Sequence, residues 1–212
     1  LWGALIFYTV FHTMATSWTA GTEALLPCFS VAALYALLNH KEEERKWLWL
    51  AACFAGRAMG VKYTGIFPAA GVMLAYAYKA RKTPFLAVKN LALFTLIASL
   101  ILAPWLIKNY LYKGNPVYPM MTGVFGLDAG SDPVKVEGLM GETRQMGALH
   151  FKDWVQHPWT VTMGRAGNSE YFSPLFLFLL PLIPLLALSG PCAGGALCAL
   201  WLYFLTVWLT WS

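Results

Sequence analysis

A carboxylate and a scatter of cations hold the chemistry this sequence could carry. Glu23 stands in "GTEALLP" at the start of an apolar run, and Lys62 stands between glycines in "AMGVKYTG". Lys108 closes a long apolar segment, and the polar stretch beyond it adds Arg144, His150, His157 and Arg165 among Trp154, Trp159 and Tyr171. Two readings stand for Glu23: an interfacial carboxylate favoured by a helix dipole, or an acid that binds or activates a substrate at a membrane surface. Lys62 likewise either snorkels to an interface beside Tyr63 or pairs with a phosphate, which suits an ammonium on a flexible stem. His150 and His157 share a helix face about two turns apart. A zinc pair is more often spaced by four residues with a third ligand near, so no metal site is expected from them, although a divalent metal requirement stays open. Cys28, Cys53, Cys192 and Cys198 fall in or beside apolar segments with no CxxC spacing, and read as small buried hydrophobes.

The elements that must position these groups are membrane helices. The chain has 212 residues, of which 58% are hydrophobic and 12% charged. An ordinary soluble domain carries about 25% charged residues, and repeated long apolar runs account for the deficit. A net charge of +5 raises nucleic acid as a partner. Lys41, Arg45 and Lys46 fall in one short loop, however, and Lys79, Arg81, Lys82 and Lys89 in another; charge placed this way sets topology rather than binding nucleic acid.

With about 20 apolar residues needed per crossing, segments are expected near 1–16, 24–38, 47–56, 66–78, 88–107, 172–188 and 193–211, with a break at 56–65. The expected fold is all-α: a polytopic bundle of about seven membrane segments forming a single membrane domain over 1–212. Amphipathic helices are expected in the long loop at about 108–171, because structureless loops of that length are uncommon. The chain begins at Leu1 inside one apolar run and stops at Ser212 inside another, so it reads as an internal piece of a longer protein. The positive-inside rule turns the two basic loops to the cytoplasm, against Lys62 alone in the short turns opposite. Glu23, Lys62 and the long loop then share the outer face, where a site can be assembled. Arg57, five residues before Lys62, would lie deeper and would need a partner or water.

The exit from the fifth segment, "WLIKNYLYKGNPVYPMMTG", is abrupt. Pro116 and Pro119 lack amide donors and bias Asn115 and Tyr118 toward extended backbone, so a helix must stop before them. Lys108 and Lys113 with Tyr110, Tyr112 and Tyr118 make an interfacial belt, so the stretch reads as a helix stop and anchor.

This stretch resembles one found in the GT-C superfamily of membrane glycosyltransferases, more narrowly the bacterial branch related to protein O-mannosyltransferases and to the transferase that adds aminoarabinose to lipid A. Trp105, Asn109, Tyr110, Gly114, Asn115, Pro116, Val117, Tyr118 and Pro119 match the pattern, with Lys108 where Arg is commoner. "AMGVKYTGIF" is similar to the family's Gly-x-Lys-Tyr-Thr-Gly turn, which carries over Lys62 and Tyr63. "SPLFLFLLPLIPLL" and "YFLTVWLTWS" are similar to the later helices. Glu23 occupies the place of an acidic residue that is commonly Asp in the family. The principal catalytic carboxylate of the family would lie before Leu1.

The resemblance implies an inverting glycosyltransferase of the bacterial inner membrane, multi-pass, with its active face periplasmic or extracellular. It would move a sugar from a polyprenyl-phosphate carrier to an acceptor protein, lipid or glycan, with membrane lipids around it. It implies Glu23 as a catalytic carboxylate and Lys62 and Tyr63 at the donor phosphate; with the phosphate at interface depth, Lys108, Arg144 and Arg165 are expected to reach it too, and His150 and His157 to contact the acceptor. It implies no organic cofactor, and a fragment inactive by itself. A transporter or flippase of lipid-linked sugars is the competing reading, since it would also show many helices, intramembrane charge and interfacial aromatics. Charge concentrated on one face rather than at the midplane weighs against it.

Overall fold

The computed structural model describes residues 24–41, 44–126, 138, 156 and 194–211. Among the described residues the regular structure is all helix, with no strand. In chain order the elements are α1 (Leu25–Asn39), α2 (Arg45–Val61), a 3-10 turn (Tyr63–Gly65), α3 (Ile66–Lys79), α4 (Pro84–Lys113), the single turn α5 (Thr122–Phe125) and α6 (Gly194–Trp211). The expected segments near 1–16 and 172–188, and most of the long loop, lie outside the described residues.

Small residues decide how these helices meet. The buried face of α2 is Leu48, Ala51, Ala52, Ala55, Gly56 and Ala58, a nearly smooth stripe at helical spacing that lets neighbours approach closely. A Cβ on Gly56 would stand 2.7 Å from the Ala98 carbonyl oxygen and 2.8 Å from the Ile101 Cβ, so α2 and α4 touch almost backbone to backbone there. The middle position belongs to α2, which packs on α1, α3 and α4. In turn α3 packs on α6, with Tyr203 lying 3.0 Å from where a Gly71 Cβ would be. Phe29 stacks on Phe54 and Tyr35 meets Trp47 edge-on, a pairing that makes α1 and α2 antiparallel.

Two boundaries differ from expectation. The break expected over 56–65 is confined to Lys62, the extended residue that ends α2 (φ −145°, ψ 147°); Gly56 and Gly60 remain helical, because a glycine weakens a helix without forbidding it. The fifth segment, expected over 88–107, extends at both ends to the 30 residues of α4. Pro84 starts it at a position where a missing amide costs nothing. Gly114, left-handed at φ 65°, ends it, and Pro104 is carried inside it. Among the described helices α4 alone is long and apolar enough to cross a membrane, with a mean hydropathy of 2.1. Shorter apolar helices are α1 and the Cys198–Val207 part of α6.

The Asn39 end of α1 is held by a lysine. The ammonium of Lys79 donates to the carbonyls of Leu37 (3.3 Å), Leu38 (3.4 Å) and His40, at a helix end where backbone carbonyls run short of internal donors; Leu37 also accepts from the His40 amide at 3.1 Å. At the start of α2, Lys46, 3.3 Å away, and the Trp47 indole, 3.0 Å away, hold the carboxyl of the partly exposed loop residue Glu44 below the usual carboxylate range. Beneath them Asn90 donates to the Tyr76 hydroxyl at 2.7 Å, both side chains being buried. Asn90→Leu is expected to destabilise the bundle by about 1–3 kcal/mol, the cost of orphaning a buried hydroxyl. A thermal unfolding midpoint in detergent equal to wild type would refute this.

Candidate functional site

At the opposite end of α2 a single hydroxyl joins three segments. Tyr63, in the 3-10 turn, donates its one hydroxyl hydrogen to the Tyr118 carbonyl at 2.9 Å. The same oxygen accepts from the Asn109 side-chain amide at 2.8 Å and from the Trp105 indole N–H at 3.3 Å. One donor and two acceptor positions are all a phenol offers to strong partners, so its capacity is filled. The turn after α2, the last turns of α4 and the segment beyond Gly114 are thereby tied together.

That last segment is fixed from within. Asn115 is fully buried; its Oδ1 accepts from the Val117 amide at 3.0 Å and its Nδ2 donates to the Met120 carbonyl at 2.7 Å. The first of these bonds, to the amide two residues on, is the local turn that Asn side chains favour. The Tyr118–Pro119 peptide is cis. Gly65 closes the turn on its other side: a Cβ there would strike the backbone of Ala58 and Met59.

Between the turn and α4 lies a cavity of about 280 Å³, lined by Met59, Gly60, Val61, Lys62, Tyr63, Thr64, Trp105 and Met120. Its walls are mainly apolar, and the exposed Lys62 supplies the cation on its lining. Lys108 lies over the Trp105 ring, its Nζ 4.8 Å from the centroid, and Lys113 lies over Tyr118 at 5.6 Å. An apolar wall with ammonium groups at its margin suits an amphiphile whose head is anionic. The antiparallel pairing with α2 brings the Leu25 end of α1 to this same end of the bundle.

The residues expected to form the site are distributed as follows. Lys62, Tyr63 and Lys108 come together here, although Lys108 reaches the group through Trp105. Glu23, Arg144, His150, His157 and Arg165 lie outside the described residues. Arg57 is exposed on α2, about 8 Å along the helix from Lys62 at 1.5 Å per residue. Among the described residues no cluster of His, Cys, Asp and Glu could hold a metal ion. The structural roles of Trp105 and Asn109 escaped sequence reasoning: both stand in the quoted motif, but nothing in their spacing says that they meet a tyrosine more than 40 positions earlier.

A second cavity, about 410 Å³, lies at the other end among Leu38, Asn39, His40, Lys41, Tyr76, Lys79 and Ala80. Of its two lysines, Lys79 caps the end of α1 by the contacts already described, and Lys41 stands exposed on the lining. The cavity beside Lys62 is the candidate taken further, because residues of both "GVKYTG" and "WLIKNYLYKGNPVYPMMTG" line it.

A family model, Domain of unknown function (DUF8201), matches residues 1–189, and the chain belongs to that family. No curated protein and no solved structure matches it.

Proposed function

We propose, for this member of the DUF8201 family, a membrane glycosyltransferase that moves a sugar from a polyprenyl-phosphate carrier to an acceptor on the outer face of a bacterial inner membrane. In this reading the all-α fold is a bundle of about seven membrane segments with a GT-C-like arrangement, and the Lys62 end faces outward. The observation that carries the reading is the Tyr63 junction. It brings "GVKYTG" and "WLIKNYLYKGNPVYP", two of the stretches on which the resemblance rests, into one hydrogen-bonded group around a cavity with Lys62 on its wall.

The chemistry follows from a donor whose phosphate rides at interface depth. The bond between the anomeric carbon and the phosphate oxygen breaks, and polyprenyl phosphate leaves with the electron pair. Lys62, supported by Lys108 and by Arg144 and Arg165 of the long loop, stabilises the charge that develops on the phosphate. The acceptor oxygen attacks the opposite face of the sugar, which inverts the centre, and gives up its proton to a carboxylate. Glu23, just ahead of α1 in sequence, is the carboxylate assigned to that step or to orienting the acceptor, and His150 and His157 are assigned to acceptor contacts. The apolar walls of the cavity suit the first isoprene units of the carrier.

The test supplies the intact protein in membranes with a polyprenyl-phosphate sugar labelled in the sugar, together with crude envelope acceptors. Release of polyprenyl phosphate with transfer of label is expected, and Glu23→Gln is expected to slow it by at least ten-fold. Label that crosses the membrane still attached to its lipid would replace this reading with a transporter.

A further inference from the structure

We propose that Asn109 is a positioning residue of the Lys62 cavity, acting through the Tyr63 hydroxyl. The inference rests on the reading of that cavity as the donor site. The argument turns on the direction of the hydrogen bonds. The Tyr118 carbonyl can only accept, so the hydroxyl hydrogen of Tyr63 points to it, and Tyr63 can meet Asn109 only as an acceptor. Asn109 must therefore present its NH2, not its carbonyl. Its second contact agrees, because the same nitrogen lies 3.4 Å from the Pro116 carbonyl, another group that only accepts.

This geometry leaves Tyr63 no strong donor for a phosphate. Its place in the site is to hold the backbone on either side of the cavity. Lys62 is its sequence neighbour on one wall, and Met120, gripped by Asn115, stands on another. Asn109 fixes the hydroxyl that spans them. Without it the Tyr63 hydroxyl keeps the Tyr118 carbonyl and the Trp105 indole but loses its shortest bond, at 2.8 Å, so the Lys62 turn and the 116–120 segment are held less tightly against α4 and the ammonium is aimed less closely before the donor arrives. Preorganisation of that kind affects the donor and leaves the acceptor untouched.

The experiment measures steady-state transfer by the intact protein with Asn109→Asp, Asn109→Leu, Tyr63→Phe and the Asn109→Leu/Tyr63→Phe pair, varying donor and acceptor separately. Asn109→Asp keeps the shape but, when ionised, cannot donate to Tyr63. Each single variant is expected to raise KM for the donor about five-fold, equivalent to about 1 kcal/mol, with KM for the acceptor unchanged. The pair is expected to be no worse than either single, because all break one junction. A lower fraction of folded enzyme would instead lower apparent kcat and leave donor KM alone, and would overturn the proposal. So would an Asn109→Asp variant equal to wild type, or effects that multiply in the pair. Lys62→Ala separates the two levels: if it raises donor KM and the Asn109 variants do not, positioning fails while the donor reading stands. If wild type transfers no sugar, both fall.

Discussion

Lys62→Ala is expected to lower kcat/KM for the lipid-linked donor by roughly 10²-fold, the usual loss when one preorganised group facing developing charge is removed. Lys62 is the cation on the wall of an otherwise largely apolar cavity, and it stands in extended backbone between α2 and the 3-10 turn. Its side chain is exposed, so alanine opens no void in the packed core, and rates are compared per folded protein. Lys62→Arg keeps the charge but replaces a compact ammonium with a planar fork, and an intermediate loss is expected from it. Lys108→Ala should cost less than Lys62→Ala, because Lys108 sits over the Trp105 ring rather than on the cavity wall. The measurement is release of polyprenyl phosphate at subsaturating donor. Equal rates for wild type and Lys62→Ala would remove the phosphate from this cavity.

How much of this was legible beforehand depends on the distance over which each feature is decided. The ends of α1 and α3 follow from local chemistry: the apolar run of α1 stops where "NHKEEERK" begins, and α3 ends at "KARK". The stop of α4 before Pro116 is equally local, and Gly114 supplies the left-handed residue that a helix end commonly takes. The break expected within "GRAMGVKYTG" falls in its second half, at Lys62, since two glycines read as a weak helix while the packing of Gly56 on Ala98 keeps it helical. Tertiary contact overrode propensity there. The Lys62 and Lys108 sites were legible as charges out of place in apolar surroundings. The junction that brings them together was not, because a tyrosine hydroxyl, an indole and an amide have no sequence spacing that announces a bond between α4 and a turn so far upstream. The same holds for Lys79, which reads as a topology charge in a basic loop and also caps α1.

The glycines give the second large effect, and they separate two reasons for needing glycine. Gly65 has ordinary helical backbone (φ −59°, ψ −14°), so any residue could adopt its conformation. What it lacks is room: a Cβ would run into the carbonyl of Ala58 and the Met59 amide nitrogen, within 2.6 Å of the latter. Backbone at the end of α2 cannot step aside as a flexible side chain can. Gly65→Ala must therefore push the 3-10 turn away from α2, which strains the bonds of Tyr63 as well. The expected cost is about 3 kcal/mol or more, at the upper end of overpacking. Gly114 is the opposite case, with a left-handed φ of 65° and nothing within 4 Å of a Cβ, and Gly114→Ala should cost about 1–2 kcal/mol from backbone strain alone. Gly60 has neither constraint, being helical with open space beside it, and Gly60→Ala should be neutral or stabilising by up to about 1 kcal/mol. Thermal unfolding of the three variants in one detergent tests the order, with Gly65→Ala lowest and Gly60→Ala highest. If Gly65→Ala unfolds with Gly60→Ala, the turn is not seated against α2, and the close approach that frames the Lys62 cavity is wrong. Because the turn also carries Tyr63, Gly65→Ala should lose transfer activity at temperatures where its helices are still folded, whereas Gly114→Ala should keep activity up to its own melting point.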